Sequence, residues 1–274
     1  MANYTAADVK ALRERSGAGM MDCKGALDEA NGDIEKAMEL LRVKGLKGVA
    51  KREGRSTSNG LVVARVNGGV GVLIELACET DFVAKAEKFI ALADTVADAV
   101  AASGAENLEA ALNAPLNGKT VAEAINDEAA IMGEKVELRK VEVVKDAAVD
   151  AYLHRTSADL PPQVGVLVAY SGDDATAHDI AVHIAAFSPR FLTRDEVPAD
   201  VVETERRVVE ETARNEGKPE AALAKIVEGR VTGFFKENVL VDQDFAKDNK
   251  LSVAKVLENN GTTVSKFVRV RVGA

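Results

Sequence analysis

Cys23, Cys78, His154, His178 and His183 are the side chains of this sequence best suited to bind a metal, and the two thiols the readiest nucleophiles. Their spacing does not suit either task. A structural zinc needs paired Cys or Cys/His ligands a few residues apart, and two lone thiols also build no disulfide framework. Both read as reduced, semi-buried thiols. His178 and His183 share one predicted helix at a spacing poor for joint ligation, so each reads as a surface or satisfied core histidine. No G-x-x-x-x-G-K-[ST] loop is present to cradle phosphates. The NGGVG stretch at Asn67–Gly71 lacks the third glycine of a dinucleotide fingerprint and joins two strands. Carboxylates are plentiful but belong to solvated helix faces, and no Ser or Cys sits in a nucleophile elbow. The sequence reads as a binding protein rather than an enzyme, with no cofactor and no metal site.

The residues suited to binding cluster in CETDFVAKAE, Cys78–Glu87. An apolar run, VGVLIELAC, delivers Thr80, Asp81, Phe82 and Val83 to the start of a helical pattern. Asp81 is read as orienting this loop by capping. Phe82 has two readings. It precedes Phe89 by seven residues, so helix periodicity alone puts it on the buried stripe with Leu92, Val96 and Val100. The alternative is an aromatic probe held out for another molecule.

A repeat bears on that choice. VGVLIELACETD begins at Val70 and VGVLVAYSGDDA at Val164, each an apolar strand, a short acidic loop and then a helix, the second through Ile180, Ile184 and Phe187. A merely structural phenylalanine is expected in both loops, yet the second has Asp173, Asp174 and Ala175.

The elements around the repeats define an α+β architecture. Residues 1–51 read as a three-helix (UBA-like) module, with Thr5 and Asp8 at the first helix, the glycine-punctuated turn 16–22, and Asp33 capping the third. Residues 52–60 read as a polar linker. Arg42–Arg55 gathers positive charge, but a formal net charge of −9 argues against a general nucleic-acid binder, and this stretch reads as solvated. Residues 61–140 form one core subdomain, opening with a hairpin at Gly68–Gly69. Residues 141–190 and 235–274 form the second, both with antiparallel sheets. KVELRKVEVV and AVDAYLHRT are expected to pair as strands. Residues 191–234 read as an inserted antiparallel helical hairpin, with Pro219 in the first turn of its second helix. No signal pattern or membrane-length apolar run occurs, so a cytoplasmic protein is expected.

The TDFVAK run at Thr80–Lys85, SGAGMMDCKGAL followed by NGDIEKA, IVEGR at Ile226–Arg230 and the duplicated core together resemble the bacterial elongation factor Ts family over nearly the whole chain. The resemblance implies a guanine-nucleotide exchange factor for the GTPase elongation factor Tu. It implies that Thr80, Asp81, Phe82 and Val83 enter the GTPase near its nucleotide-bound magnesium, with the aromatic ring wedged in an apolar pocket and helping to dislodge the ion, and it opens a second reading of Asp81, as a charge competing near that ion. It further implies that the N-terminal module packs on the GTPase domain, that the second half of the core contacts another domain of the partner, and that the hairpin mediates a homodimer. His154 lies where relatives carry a partner-contacting histidine, although Pro161 and Pro162 mark a longer following segment. Some relatives continue past the last strand into a helical module; this sequence stops at Gly273–Ala274, so that contact is expected to be missing or made differently. The competing reading is an adaptor that binds proteins without altering nucleotide affinity.

Overall fold

A computed structural model describes residues 3–16 and 18–274. Met1 and Ala2 of the N-terminal module, and Gly17 of the expected 16–22 turn, lie outside the described residues. The elements are α1 (Ala6–Ser16), α2 (Met20–Glu29), α3 (Ile34–Arg52), β1 (Asn59–Asn67), β2 (Val70–Cys78), α4 (Asp81–Ala84), α5 (Glu87–Ser103), α6 (Leu108–Leu112), β3 (Pro115–Leu116), β4 (Lys119–Thr120) and α7 (Val121–Met132). There follow β5 (Val136–Lys145), β6 (Ala148–His154), β7 (Val164–Ser171), α8 (Asp174–Phe187), α9 (Ala199–Asn215), α10 (Glu220–Asn238), β8 (Asp244–Phe245), β9 (Asp248–Ser252), α11 (Val253–Asn259) and β10 (Thr263–Arg271). The fold is α+β, as read from the sequence.

The two copies of VGVL become β2 and β7, the central strands of two antiparallel three-stranded sheets, ordered β1-β2-β5 and β10-β7-β6. A central strand covered on both faces reads as a continuous apolar run, because neither set of alternating residues meets water. On β2, Val72, Ile74, Leu76 and Cys78 face α5 and α7, and on β7, Val164, Val166, Val168 and Tyr170 face α8. The alternate residues meet between the sheets, where Leu73 and Leu167 join Val62, Val144, Val149, Ala169 and Val270 in one layer. Helices thus cover the outer faces of two stacked sheets.

That inner layer depends on two glycines. A Cβ on Gly71 would lie 2.6 Å from Val149 Cγ1 and 3.2 Å from Leu167 Cδ1; a Cβ on Gly165 would lie 2.5 Å from Leu73 Cδ1. Each copy of the repeat therefore offers a glycine that receives the leucine of the other.

The inner layer ends in a charged pair. Glu75 is fully buried, and Arg139 reaches it at 3.1 Å from a bulge on β5, while Gly273 N–H donates to the same carboxylate oxygen at 3.1 Å. A buried carboxylate needs such partners.

Several expectations change. KVELRKVEVV and AVDAYLHRT do not pair with each other. β5 pairs with β2 and β6 with β7, because the chain passes from one sheet to the other at Asp146–Ala147. Alternation identifies a strand but not its neighbour. β5 also runs unbroken through the expected 140/141 boundary, and α10 continues to Asn238. The stretch 42–55 is not a solvated linker: α3 extends to Arg52 and packs on α7, with Arg42 paired to Asp127 at 3.2 Å and Arg52 donating to Ala129 O. Phe187 is half-exposed at the end of α8, stacked on His183 at 4.7 Å.

The capping residues of the N-terminal module hold as read. Thr5 and Asp8 exchange hydrogen bonds, and Asp33 accepts from Lys36 N–H at 3.0 Å. Gly68–Gly69 makes the β1–β2 hairpin turn with Gly68 at φ +58°. α9 and α10 form the antiparallel hairpin, with Val209, Val227 and Val231 between them.

Gly71→Ala and Gly165→Ala are each expected to destabilise the fold by about 1–3 kcal/mol through overpacking, measured by urea unfolding. Trimming the opposing Leu167 or Leu73 to Val should return part of the loss. Burial holds His183 below its usual 6.5, and its Nε2 lies 2.8 Å from Gln243 Oε1. The fold therefore favours neutral His183: its contribution is present above 6.5 and is lost as pH falls through the lowered value. A pH series of unfolding curves checks this, with NMR titration of the ring as the direct reading.

Candidate functional site

The loop after β2 is built from its base outward. Thr80 has extended backbone angles and its hydroxyl accepts from Val83 N–H at 3.3 Å, so Thr80 is the N-cap of α4. Asp81 is not the cap, which corrects the expectation. It sits in the first turn and pairs with Lys85 one turn on, at 2.7 Å. Lys85 holds the Asp81 carboxyl below its usual 3.8, and Asp81 in turn raises Lys85 above 10.5. The Asp81 contribution is lost only as pH falls through that lowered value, and that of Lys85 only as pH rises through its raised one, so the pair stays charged at neutral pH.

α4 stops after one turn. Ala86 is extended, with φ −68° and ψ 133°, and α5 starts afresh at Glu87. That break decides the position of Phe82. In one continuous helix it would share the face of Phe89; with the phase reset, Phe89 is fully buried while Phe82 is 80% exposed. Ala84 is buried and Val83 packs on the first core, anchoring the turn from behind. The Lys85 ammonium lies 5.8 Å from the Phe82 ring centroid.

The second copy has no such turn. Between β7 and α8 stand only Gly172 and Asp173, whose carboxylate caps α8 by accepting from Thr176 N–H at 2.8 Å. Residues 79–86 fill the corresponding place in the first copy. The two loops therefore differ by an added helical turn, not by substitution at matched positions.

Glu134 fixes the base of the loop, and sequence reasoning missed it. It follows Gly133, whose φ of +77° ends α7. One carboxylate oxygen accepts from the N–H groups of Glu79 and Thr80 at 3.1 and 3.0 Å, and the other from the Thr80 hydroxyl at 2.5 Å. Glu79 returns the contact, accepting from Lys135 N–H at 2.6 Å and pairing with Arg55. The Lys135 amide is the main reason the Glu79 carboxyl is held below its usual value. A glutamate after a helix-ending glycine carries no local pattern that foretells this. Cys78 is buried beneath the loop and donates to Thr80 O at 3.2 Å; burial, with the Glu134 charge, pushes its thiol up to about 12, so it is an unreactive packing residue.

His154 ends β6, exposed, with Tyr152 OH 3.1 Å from its Nδ1. The loop that follows returns toward α4. Pro162 O accepts from Val62 N–H at 2.9 Å, and the charge of Asp159 acts on Lys85. Thr80–Val83 form one unit, and His154 belongs to the neighbouring strand edge. On the N-terminal module, Met20 and Met21 are exposed at the start of α2, a flexible apolar pair of the kind that suits docking. Among the described residues no group of three or more His, Cys, Asp or Glu could hold a metal ion, and no helix is long and apolar enough to cross a membrane.

Comparison with known proteins agrees with this architecture. The family model described as Elongation factor TS matches residues 79–274. The chain is 63% identical over 277 residues to elongation factor Ts of Paenarthrobacter aurescens (strain TC1), covering the whole of both chains. It is 63% identical over 277 residues to that of Micrococcus luteus and 62% over 275 residues to that of Clavibacter sepedonicus, again over full length. The chain is therefore that of a translation elongation factor, a protein of protein biosynthesis. The chain belongs to the elongation factor Ts family.

Glu134→Ala removes three acceptor contacts while leaving Phe82 in place. Hydrogen–deuterium exchange at the Glu79 and Thr80 amides should accelerate by roughly tenfold or more, as expected for losing a charge-assisted hydrogen bond.

Proposed function

We propose that this protein binds elongation factor Tu carrying GDP and promotes release of the nucleotide, without covalent chemistry. The observation that carries the reading is Phe82, 80% exposed on a turn whose base is tied down by Glu134 and Thr80. Leaving a Phe ring in water forgoes about 1.5–3 kcal/mol of burial, a free energy that a partner pocket recovers.

An exchange factor needs no nucleophile. It binds the nucleotide-free GTPase more tightly than the loaded one, and by reciprocity it weakens nucleotide binding by the same factor. Magnesium bridges the phosphates to a few protein oxygens and retains several waters, so a small displacement of its ligands releases it. In this reading Phe82 wedges beside the magnesium-binding elements of the GTPase, with Thr80, Asp81 and Val83 setting its approach. The 1–51 module adds a contact through Met20 and Met21, subdomain 61–140 supports the wedge, and subdomain 141–190 with 235–274 adds His154. The 191–234 hairpin provides a surface for a second copy of the chain. The setting is the cytoplasm, with neither nucleic acid nor membrane as a direct partner.

Release of fluorescent GDP from elongation factor Tu tests this. The wild type should accelerate release, and Phe82→Ala should lose roughly 30-fold or more, the equivalent of about 2 kcal/mol for an aromatic anchor. Equal acceleration by both would remove the wedge and leave the exchange. No acceleration by either would favour the adaptor reading.

A further inference from the structure

Met20 and Met21 on α2 and Phe82 on the turn after β2 are exposed apolar side chains far apart in the chain. A short run of contacts joins them. Asp22, beside Met21, pairs with Lys44 of α3 at 2.5 Å, and beneath that pair Cys23, Leu27 and Leu41 share one apolar core. Gly45, next along α3, lies against Ala130 of α7. Just past the end of α7, Glu134 grips the Glu79 and Thr80 amides at the root of the Phe82 turn.

The link at Gly45 is the tightest. A Cβ there would stand 2.7 Å from Ala130 Cβ and 3.3 Å from Ala130 O, whereas carbon atoms pack at about 3.5–4.0 Å. The two helices therefore meet as closely as they do because position 45 has no side chain. Polar contacts fasten this seat. Asp127 pairs with Arg42 at 3.2 Å and also with Lys119, and Arg52 Nη1 donates to Ala129 O at 3.3 Å. Beyond α3, Arg55 pairs with Glu79 at 3.2 Å, so the end of the module reaches the root of the same turn by a second route. Glycine is a poor helix residue, and its place in the middle of α3 is explained by the seat rather than by helix formation.

We propose that Gly45 is a positioning residue: its seat on Ala130 sets the span between Met20–Met21 and Phe82, so that both reach one partner together. The partner is that of the exchange reading, on which this role rests. Two contacts held at a fixed span act as one bivalent surface, because engaging the first places the second at high local concentration. A displaced seat leaves each contact intact and removes that gain.

Gly45→Ala tests this, since it favours α3 as a helix while pushing it off α7. In the GDP-release assay the concentration of this protein that gives half-maximal acceleration should rise roughly tenfold or more, the gain lost with the span. The maximal rate should stay within about twofold of the wild type, as for a change that removes binding common to every step. Gly45→Ala/Ala130→Gly, which reopens the room, should return the half-maximal concentration toward the wild-type value. Simple destabilisation, followed by thermal unfolding, would leave that concentration unchanged when counted in folded protein. Double electron–electron resonance between spin labels at Lys24→Cys and Ala102→Cys, exposed sites in a chain whose own cysteines are buried, should give one narrow distance, shifted or broadened by Gly45→Ala. An unmoved half-maximal concentration, a fall in maximal rate in its place, or no recovery in the double variant would overturn the role. A wild type without effect on release would sink the exchange reading instead. The spin-label distance needs no partner, and there a changed distance upholds the seat and an unchanged one overturns it.

Discussion

Two glycines and two leucines hold the halves of this molecule in one frame. Leu73 of the first sheet sits where Gly165 of the second has no side chain, and Leu167 sits likewise against Gly71. All of this lies in a dry layer between the sheets, where packing tolerates little change in volume. The rest of the structure depends on it, because the turn carrying Phe82 extends from β2 while His154 ends β6. Those features keep fixed relative positions only while the sheets stay in register.

The exposed phenylalanine is intelligible against that rigidity. An aromatic ring on a mobile loop would lose much of its binding free energy to ordering on contact. Here the ring is out in solvent but its support is not free to move: Thr80 caps, Glu134 grips two amides and a hydroxyl, Val83 and Ala84 face the core, and Lys85 closes on Asp81. The molecule pre-arranges the turn and leaves only the ring unsatisfied.

Much of this could be read from residue types and spacing. The VGVL runs announce central strands, Gly68–Gly69 announces a hairpin, and Asp33 announces a helix start, because each reflects a local rule. What escaped the reading is non-local or lacks a marker. The break at Lys85–Ala86 contains neither glycine nor proline, so periodicity alone carried the helix through it to the buried stripe, and the exposed reading of Phe82, which holds, came from the unlike second loop and the family resemblance. The choice of β2 over β6 as the neighbour of β5 is made by the topology of two sheets. Glu134 acts across more than fifty residues of chain on Thr80, and no short pattern encodes such a contact. Arg42 and Arg52 looked solvated because their partners on α7, the Asp127 side chain and the Ala129 carbonyl, lie more than seventy residues away in the chain.

The interlock between the sheets also bears on ancestry. Two copies of one unit, each giving a leucine and receiving one, meet as the two subunits of an isologous dimer meet. A single unit of this kind would present the same glycine and leucine to a second molecule of itself, so an interface between separate chains and a core within one chain are here the same surface. Joining the copies end to end would have left that surface unchanged and relieved the two loops of any need to match. The VGVL segments meet one another across that surface, whereas the turn bearing Phe82 belongs to one copy alone and packs only on its own half of the core.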